Sequence, residues 1–341
     1  MRSQSLVVTS RPFTLGDHSP PPTRIVRAFA PGGIGNLGPG LDILGCAVTG
    51  LGDTVDARFV EAPGIHLEDA GHPDLPTDPS RNAATIAASE VIRRASAVGD
   101  GRWAMGKPIG IAIRVGKGLP LSGGQGGSAA SAVAGAVAVN ALLGGQLGQL
   151  DVLASAFAAE RTVSGRHIDN IAPALFGGIV LIRSVEPFVG DRLPVPPALR
   201  IVLVHPAMQL RTAEARAVLP STIDLQVALA QAGAVAAMVA AFCTGDLSRL
   251  RGAVDDRIAE PARAPLLPGF DAAKRAALAA GALGCSISGA GPSSFAFADG
   301  DGMARAVCDA MVAAYRDAGV SASGRVAEVD QLGARVIEDS Q

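Results

Sequence analysis

Three glycine-rich stretches and one polar cluster hold the side chains of this sequence that could do chemistry. In LSGGQGGSAAS the glycines Gly123, Gly124, Gly126 and Gly127 lie just before an alanine-rich segment that begins near Ser128. Glycine lets a backbone approach an anion closely, and a helix start offers unpaired N–H groups and the positive end of a dipole, so this stretch predicts a phosphate site. It is not a Walker A loop: Lys117 is followed by Gly118 and stands ahead of the glycines. The first stretch, PGGIGNLGPGLDILG, contains Gly33-Ile34-Gly35-Asn36-Leu37-Gly38, a formal dinucleotide fingerprint, with Asp53 and Asp56 about twenty residues on. Such a fingerprint must open a helix, and Pro39-Gly40 disfavours one at that point, which argues against a nicotinamide enzyme. A polar cluster runs from Glu160 to Asn170 and contains His167 and Asp169. Cys46, Cys243, Cys285 and Cys308 are far apart with no CxxC pair, and the five histidines include no HExxH. The cysteines therefore predict buried, reduced thiols.

These residues sit in a chain of 341 residues, 48% hydrophobic and 18% charged, with a formal net charge of −2. Only three residues are lysine, Lys107, Lys117 and Lys274, and no basic cluster forms. The balance gives no field that would hold nucleic acid or an anionic membrane. Length favours two domains with ample core. Residues 1–23 carry Pro20, Pro21 and Pro22 and no continuous apolar run, so they read as a loose leader and not as a signal peptide. A cytoplasmic location follows by default. Two windows, Leu225–Gly245 and Ala276–Ala298, are long and uncharged, but Gln226, Gln231, Ser286, Ser288 and Pro292 break them, and they read as buried helix and loop.

The elements that must position the glycine stretches follow from periodicity and caps. Strands are expected at Arg24–Ala30, Val55–Val60, Ile109–Val115, Phe176–Arg183, Arg200–Val204 and Arg325–Val329. Helices are expected at Asn82–Ala97, capped by Asp78 or Ser80, from Ser128 onward, and at Asp151–Thr162, Asp271–Ala280 and Met303–Asp317. Glu61–Pro79 reads as turns, Glu186–Pro197 as a linker, and LGCSISGAGPSSFAFA as strand, tight turn, strand. Strands with helices between them in both halves predict an α+β protein of two lobes.

The three glycine stretches, in this order, resemble the signature motifs of the GHMP small-molecule kinases, and most closely those of the homoserine kinase family. NLGPGLD (Asn36–Asp42), GRHIDNIAPALFGG (Gly165–Gly178), TAEARAVLP (Thr212–Pro220) and EPARAPLLPGF (Glu260–Phe270) are similar to further segments of that family, and the resemblance runs from about Arg24 to Val329. It implies a two-lobed GHMP fold: an N-terminal α/β lobe like ribosomal protein S5 over residues 24–190 and a C-terminal ferredoxin-like α+β lobe over 191–341. It implies an ATP-dependent kinase acting on the side-chain hydroxyl of L-homoserine, with Mg²⁺, often as a homodimer.

The same resemblance assigns roles. Leu121, Ser122, Gly123, Gly124, Gln125, Gly126, Gly127, Ser128, Ala129, Ala130 and Ser131 would bind ATP, and Ser128 and Glu160 would hold Mg²⁺ by hard oxygen atoms. Ser288, Gly289, Ala290 and Gly291 form the third motif. Homoserine is a zwitterion, so Arg216 and Arg263 would take its carboxylate and Asp42 its ammonium group, while Asn36, His167, Asp169 and Asn170 would surround the hydroxyl. Asp169 is the candidate proton acceptor, with Asn170 and Asn36 beside it; a loose phosphoryl-transfer transition state makes little demand on a base, so orientation alone is the competing reading.

The chain departs from the family pattern at Gly127, where a serine is usual, and at Gly32-Gly33. The missing hydroxyl removes one hydrogen bond to phosphate, worth about 0.5–1.5 kcal/mol. Two alternatives stay open here: a GHMP kinase for an isoprenoid-precursor or shikimate-type alcohol, which would not need Arg216, Arg263 and Asp42, and a catalytically weak nucleotide-binding paralogue.

Overall fold

The computed structural model describes residues 24–98 and 109–340. The expected leader, 1–23, and Lys107 lie outside them. In chain order the strands are β1 (Ile25–Gly35), β2 (Leu44–Val60), β3 (Gly64–Asp69), β4 (Gly110–Gly116), β5 (Ile179–Val185), β6 (Phe188–Leu193), β7 (Leu199–Pro206), β8 (Gly284–Ile287), β9 (Ser294–Asp299), β10 (Ala322–Ala327) and β11 (Arg335–Ser340). The α-helices are α1 (Ala83–Val98), α2 (Gly127–Leu142), α3 (Gln149–Val163), α4 (Ile171–Phe176), α5 (Thr212–Ala217), α6 (Leu225–Thr244), α7 (Ala259–Arg263), α8 (Phe270–Ala279) and α9 (Gly300–Asp317). Among the described residues a seven-stranded sheet runs β11-β1-β2-β4-β3 with β5 and β6 joined through β2, and a four-stranded sheet runs β10-β7-β9-β8. The fold is thus the expected α+β pair of lobes.

Helix α2 explains why the longest uncharged run is so rich in alanine and glycine. It is buried along nearly its whole length, packed against α1, α3 and the first sheet. A Cβ on Gly135 would lie 2.6 Å from the carbonyl oxygen of Ala84, so two helix backbones touch there and only glycine fits. The start of α1 is set by Asn82, whose Oδ1 accepts the Ala84 amide at 3.0 Å, and not by Asp78 or Ser80, which close a turn of their own.

A second apolar cluster joins the lobes. Ile34, Leu37, Leu44 and Cys46 from the first sheet and its loop pack with Ile201, Leu203, Phe295 and Phe297 of the second sheet and with Met238 and Phe242 of α6. Full burial of each large side chain contributes about 1.5–3 kcal/mol, so this seam fixes one lobe on the other.

Four expectations are corrected. The segment read as turns contains β3, which pairs in parallel with β4. The expected linker at Glu186–Pro197 contains β6, an antiparallel partner of β5, so the domain break drawn at residue 190 falls inside a hairpin strand. The last strand, β11, returns to the first sheet and pairs with β1, so residues 335–340 leave the second lobe to which 191–341 was assigned. Helix α6 is long and apolar enough to cross a membrane by length and composition, yet only 22% of its central window is buried, so it is not the buried helix expected. One face packs through Met238, Ala241 and Phe242, and Leu225 and Leu229 are exposed. The other uncharged window divides among α8, β8 and β9.

All four cysteines are free, but contrary to the expectation that all are buried, Cys243, on the open side of α6, is exposed. Burial raises the Cys46 thiol above the ordinary range and pushes Cys285 up to about 12. A thiol reagent should therefore label the native protein at Cys243 alone, and the other three only on unfolding; native labelling that survives Cys243→Ser would contradict this packing.

Candidate active site

The phosphate loop links the end of β4 to the start of α2. Gly124 and Gly126 adopt φ of +71° and +70°, where glycine is favoured, and a Cβ on Gly126 would lie 2.9 Å from Asn170 Oδ1. The first amides of α2, from Gly127 on, have no intrahelical acceptor. Gly127 itself has ordinary backbone angles, and a Cβ there would meet Lys117 Nζ at 3.4 Å, normal contact. Glycine at 127 is therefore not a steric requirement, unlike glycine at 126.

The first motif is a tight turn in which Asn36, Leu37 and Asp42 have positive φ despite carrying side chains. β1 runs through Gly35, and no helix follows, which removes the dinucleotide-binding reading. The turn is held from outside: Asn36 donates its amide to Asp169 Oδ2 at 2.8 Å and its Nδ2 to the Gly289 carbonyl at 2.9 Å, and its Oδ1 accepts the Asp42 amide at 3.1 Å. The third motif presses on the phosphate loop, with Ser288 Oγ donating to the Gly124 carbonyl at 2.7 Å and the Ser293 amide to Gly123 at 3.3 Å.

Asn36, the loop from Leu121 to Ser128 except Gln125, Ser131, Glu160, His167, Asp169, Asn170, Arg216, Arg263, Gly289, Ala290 and Gly291 all line one cavity of about 550 Å³. A neighbouring, more open groove of about 650 Å³ shares Asp74, Lys117, Pro120, Leu121 and Gln209 with it. Three expected ATP ligands do not line the cavity: Ala129 and Ala130 are buried in the α2 core, and Gln125 turns to Ser293 and Arg325. Ser288 serves the loop backbone instead of the cavity, and Asp42 touches the site through Arg216.

Within the cavity the charges are arranged in two groups. Glu160, His167 and Asp169 are all buried, with His167 Nδ1 3.4 Å from Glu160 and 3.6 Å from Asp169. Burial raises the pKa of Glu160, countered in part by His167 and reinforced by Asp169. Burial alone would lower His167, but Asp169 and then Glu160 outweigh it and the net shift is upward. Ser128 Oγ donates to Glu160 at 3.2 Å at the start of α2, so two hard oxygen donors converge there. Asn170 Oδ1 is buried with no partner among the described residues, an acceptor free for a ligand.

The second group is cationic. Arg216 forms a two-point pair with Asp42, at 2.5 and 3.2 Å, so the two residues expected to bind opposite ends of a zwitterion bind each other here. Arg263 is buried and forms no ion pair among the described residues; it donates to the carbonyls of Ala215 and Gly289, each at 3.0 Å. Burial, and then the charge of Arg216, lower its pKa. Its place is set by α7, whose first amides donate to Asp256, and by Gln231 of α6, which donates to both Asp256 and the Pro39 carbonyl. Asp256 carries no signal in the sequence and Gln231 reads there only as a polar break in an uncharged run, because nothing local marks a buried cap.

With this geometry in hand, comparison with known proteins is direct. The GHMP kinases N terminal domain matches residues 85–178 and the GHMP kinases C terminal domain matches 238–317. A homoserine kinase of Arabidopsis thaliana is 41% identical over 92% of this chain and 84% of its own length. The chain belongs to the homoserine kinase family of the GHMP kinases. The crystal structure of homoserine kinase from Cytophaga hutchinsonii superposes with a TM-score of 0.86 at 38% identity, covering 95% of this chain and all of that one. Leishmania major mevalonate kinase shares the fold, with a TM-score of 0.64 at 19% identity over 89% of this chain and 95% of that one. Like its relatives, the chain is a kinase for an alcohol acceptor.

An NMR titration should find the His167 imidazole above the ordinary value of about 6.5, and Asp169→Asn should bring it down. Because the folded state holds this proton more tightly than the unfolded chain, His167 adds stability below the unfolded pKa that is lost as pH rises through the folded one. A titration unmoved by Asp169→Asn would reject the coupling.

Proposed function

We propose that this chain transfers the γ-phosphoryl group of ATP to the side-chain hydroxyl of L-homoserine, giving O-phospho-L-homoserine and ADP, the supplying step of a threonine-forming sequence. The observation that carries the reading is Arg263: a buried guanidinium without a carboxylate partner, lining the cavity that also holds the phosphate loop. A buried cation of this kind fits a substrate carboxylate, which mevalonate and shikimate also carry, and the acidic Asp42 beside Arg216 favours a substrate that adds an ammonium group, as homoserine does. On binding, Arg216 exchanges Asp42 for the substrate carboxylate, and Asp42 takes the ammonium group.

The amides of Gly127 and Ser128 hold the ATP phosphates at the α2 N-terminus, and the nucleoside extends into the groove beside Lys117 and Leu121. Ser128 and Glu160 fit Mg²⁺, a hard cation that takes one or two protein oxygens and leaves the rest to phosphate and water. Bound there, Mg²⁺ neutralises phosphate charge. The homoserine hydroxyl lies between Asp169 and Asn170. Asp169 Oδ2 accepts the Asn36 amide at 2.8 Å, whereas Oδ1 has only long contacts, from Asn170 Nδ2 at 3.5 Å and His167 Nδ1 at 3.6 Å, so Oδ1 is the atom that accepts the hydroxyl proton, while Asn170 Oδ1, unpartnered among the described residues, orients the substrate. Free thiols throughout support a cytoplasmic site of action, and the exposed apolar face of α6, with Leu225 and Leu229, supports a homodimer.

Purified protein with Mg-ATP should release ADP with L-homoserine and not with mevalonate or shikimate; no homoserine-dependent release rejects the reading. Arg263→Ala should raise KM for homoserine about a hundredfold, the scale of a lost buried charge contact, and leave KM for ATP nearly unchanged. Asp169→Asn should lower kcat by several orders of magnitude if Asp169 is the base; retained turnover assigns it to orientation alone. Gly127→Ser, which the backbone accommodates, should lower KM for ATP by about three- to tenfold through one added phosphate hydrogen bond.

A further inference from the structure

Beneath the phosphate loop lies an ion pair with no assigned role. Asp53, on β2, is fully buried, and Lys117, just after β4, is nearly so. Asp53 Oδ1 accepts the amides of Gly118 and Leu119, at 3.1 and 3.3 Å; its Oδ2 accepts Ser131 Oγ at 2.6 Å and Lys117 Nζ. Lys117 Nζ also donates to the Gly127 carbonyl at 3.2 Å and to Ser131 Oγ at 3.1 Å. The three N–H bonds of the ammonium therefore have three acceptors, and none is left for a phosphate oxygen.

The pair's contacts are confined to the two ends of the loop: Gly118 and Leu119 where it begins, Gly127 and Ser131 where it enters α2. A buried ion pair is a poor source of stability, because desolvation offsets its attraction, but it holds geometry well when every donor and acceptor is used. We propose that Asp53 and Lys117 are positioning residues for nucleotide binding, a strut that fixes the spacing of the loop's two ends and so aims the first amides of α2 into the cavity. The proposal rests on the reading that ATP phosphates bind at those amides. It gives Lys117 a different task from a Walker lysine, which touches phosphate directly.

The test compares Asp53→Asn, Lys117→Met and the double variant in thermal unfolding, in calorimetric binding of a non-hydrolysable Mg-ATP analogue without homoserine, and in steady-state kinetics. Each single variant should weaken nucleotide binding at least about tenfold and leave KM for homoserine within about twofold. The double variant leaves no unpaired buried charge, so its Tm should return to within about 3 °C of the parent, while nucleotide binding stays at least about tenfold weaker. Nucleotide binding within about twofold of the parent in the double variant would overturn the proposal, as would an equal rise in KM for homoserine. Loss in Lys117→Met with none in Asp53→Asn would also overturn it, by making Lys117 a direct phosphate ligand. Should the double variant fail to fold, Ser131→Ala decides in its place: at least about threefold weaker binding supports the strut, and unchanged binding rejects it. A parent protein that binds nucleotide but shows no homoserine-dependent turnover would reject the proposed function and leave the strut to be judged on binding alone.

Discussion

One residue joins the parts of this site. The carbonyl of Gly289 accepts both Asn36 Nδ2 from the first motif and Arg263 Nη1 from α7, and the amide of the same residue donates to the Gly35 carbonyl at 3.1 Å. A carbonyl has two acceptor positions, and here two lobes and three segments use them together. Ser288, one residue earlier, holds Gly124 of the phosphate loop. The relative placement of the phosphate loop, the substrate turn and the buried arginine therefore depends on a short loop between β8 and β9. The apolar seam of Leu37, Leu44, Phe295 and Phe297 keeps that loop at a fixed distance from the first lobe.

Around this junction, charge is managed locally. The net charge is −2, so anion binding draws nothing from an overall field. Instead there is a helix start, one buried arginine without a carboxylate partner among the described residues, one arginine paired with an aspartate, and a buried pair under the loop. Most buried charges are either fully hydrogen-bonded or face the cavity; the buried Nε of Arg325, unpartnered among the described residues, is an exception.

Much of the fold was legible because its signals are local. The uncharged alanine-rich run predicts α2, and alternation predicts β4 and β7. What escaped was non-local. β3 and β6 are short strands whose partners lie across turns, and β11 pairs with a strand some 300 residues earlier in the chain, a contact that no local periodicity encodes. α6 shows the reverse: its composition suggests burial, but the fold has apolar surface to cover only one of its faces.

The sequence by itself determined which residues could meet ATP and an amino-acid alcohol, since the glycine motifs and their order are local chemistry. It held a clue to the strut as well: Lys117 is one of only three lysines and stands immediately before the long uncharged run, while Asp53 made sense from sequence only as part of a dinucleotide site that does not form. Only the tertiary structure decided that Asp42 and Arg216 face each other, that Arg263 is left without a carboxylate, that Gln125 turns away from the cavity, and that Asp53 reaches Lys117. Each of these outcomes is set by which backbones approach one another, across the lobes or, for Asp53 and Lys117, between neighbouring strands of one sheet, a distance that the order of residues along the chain does not contain.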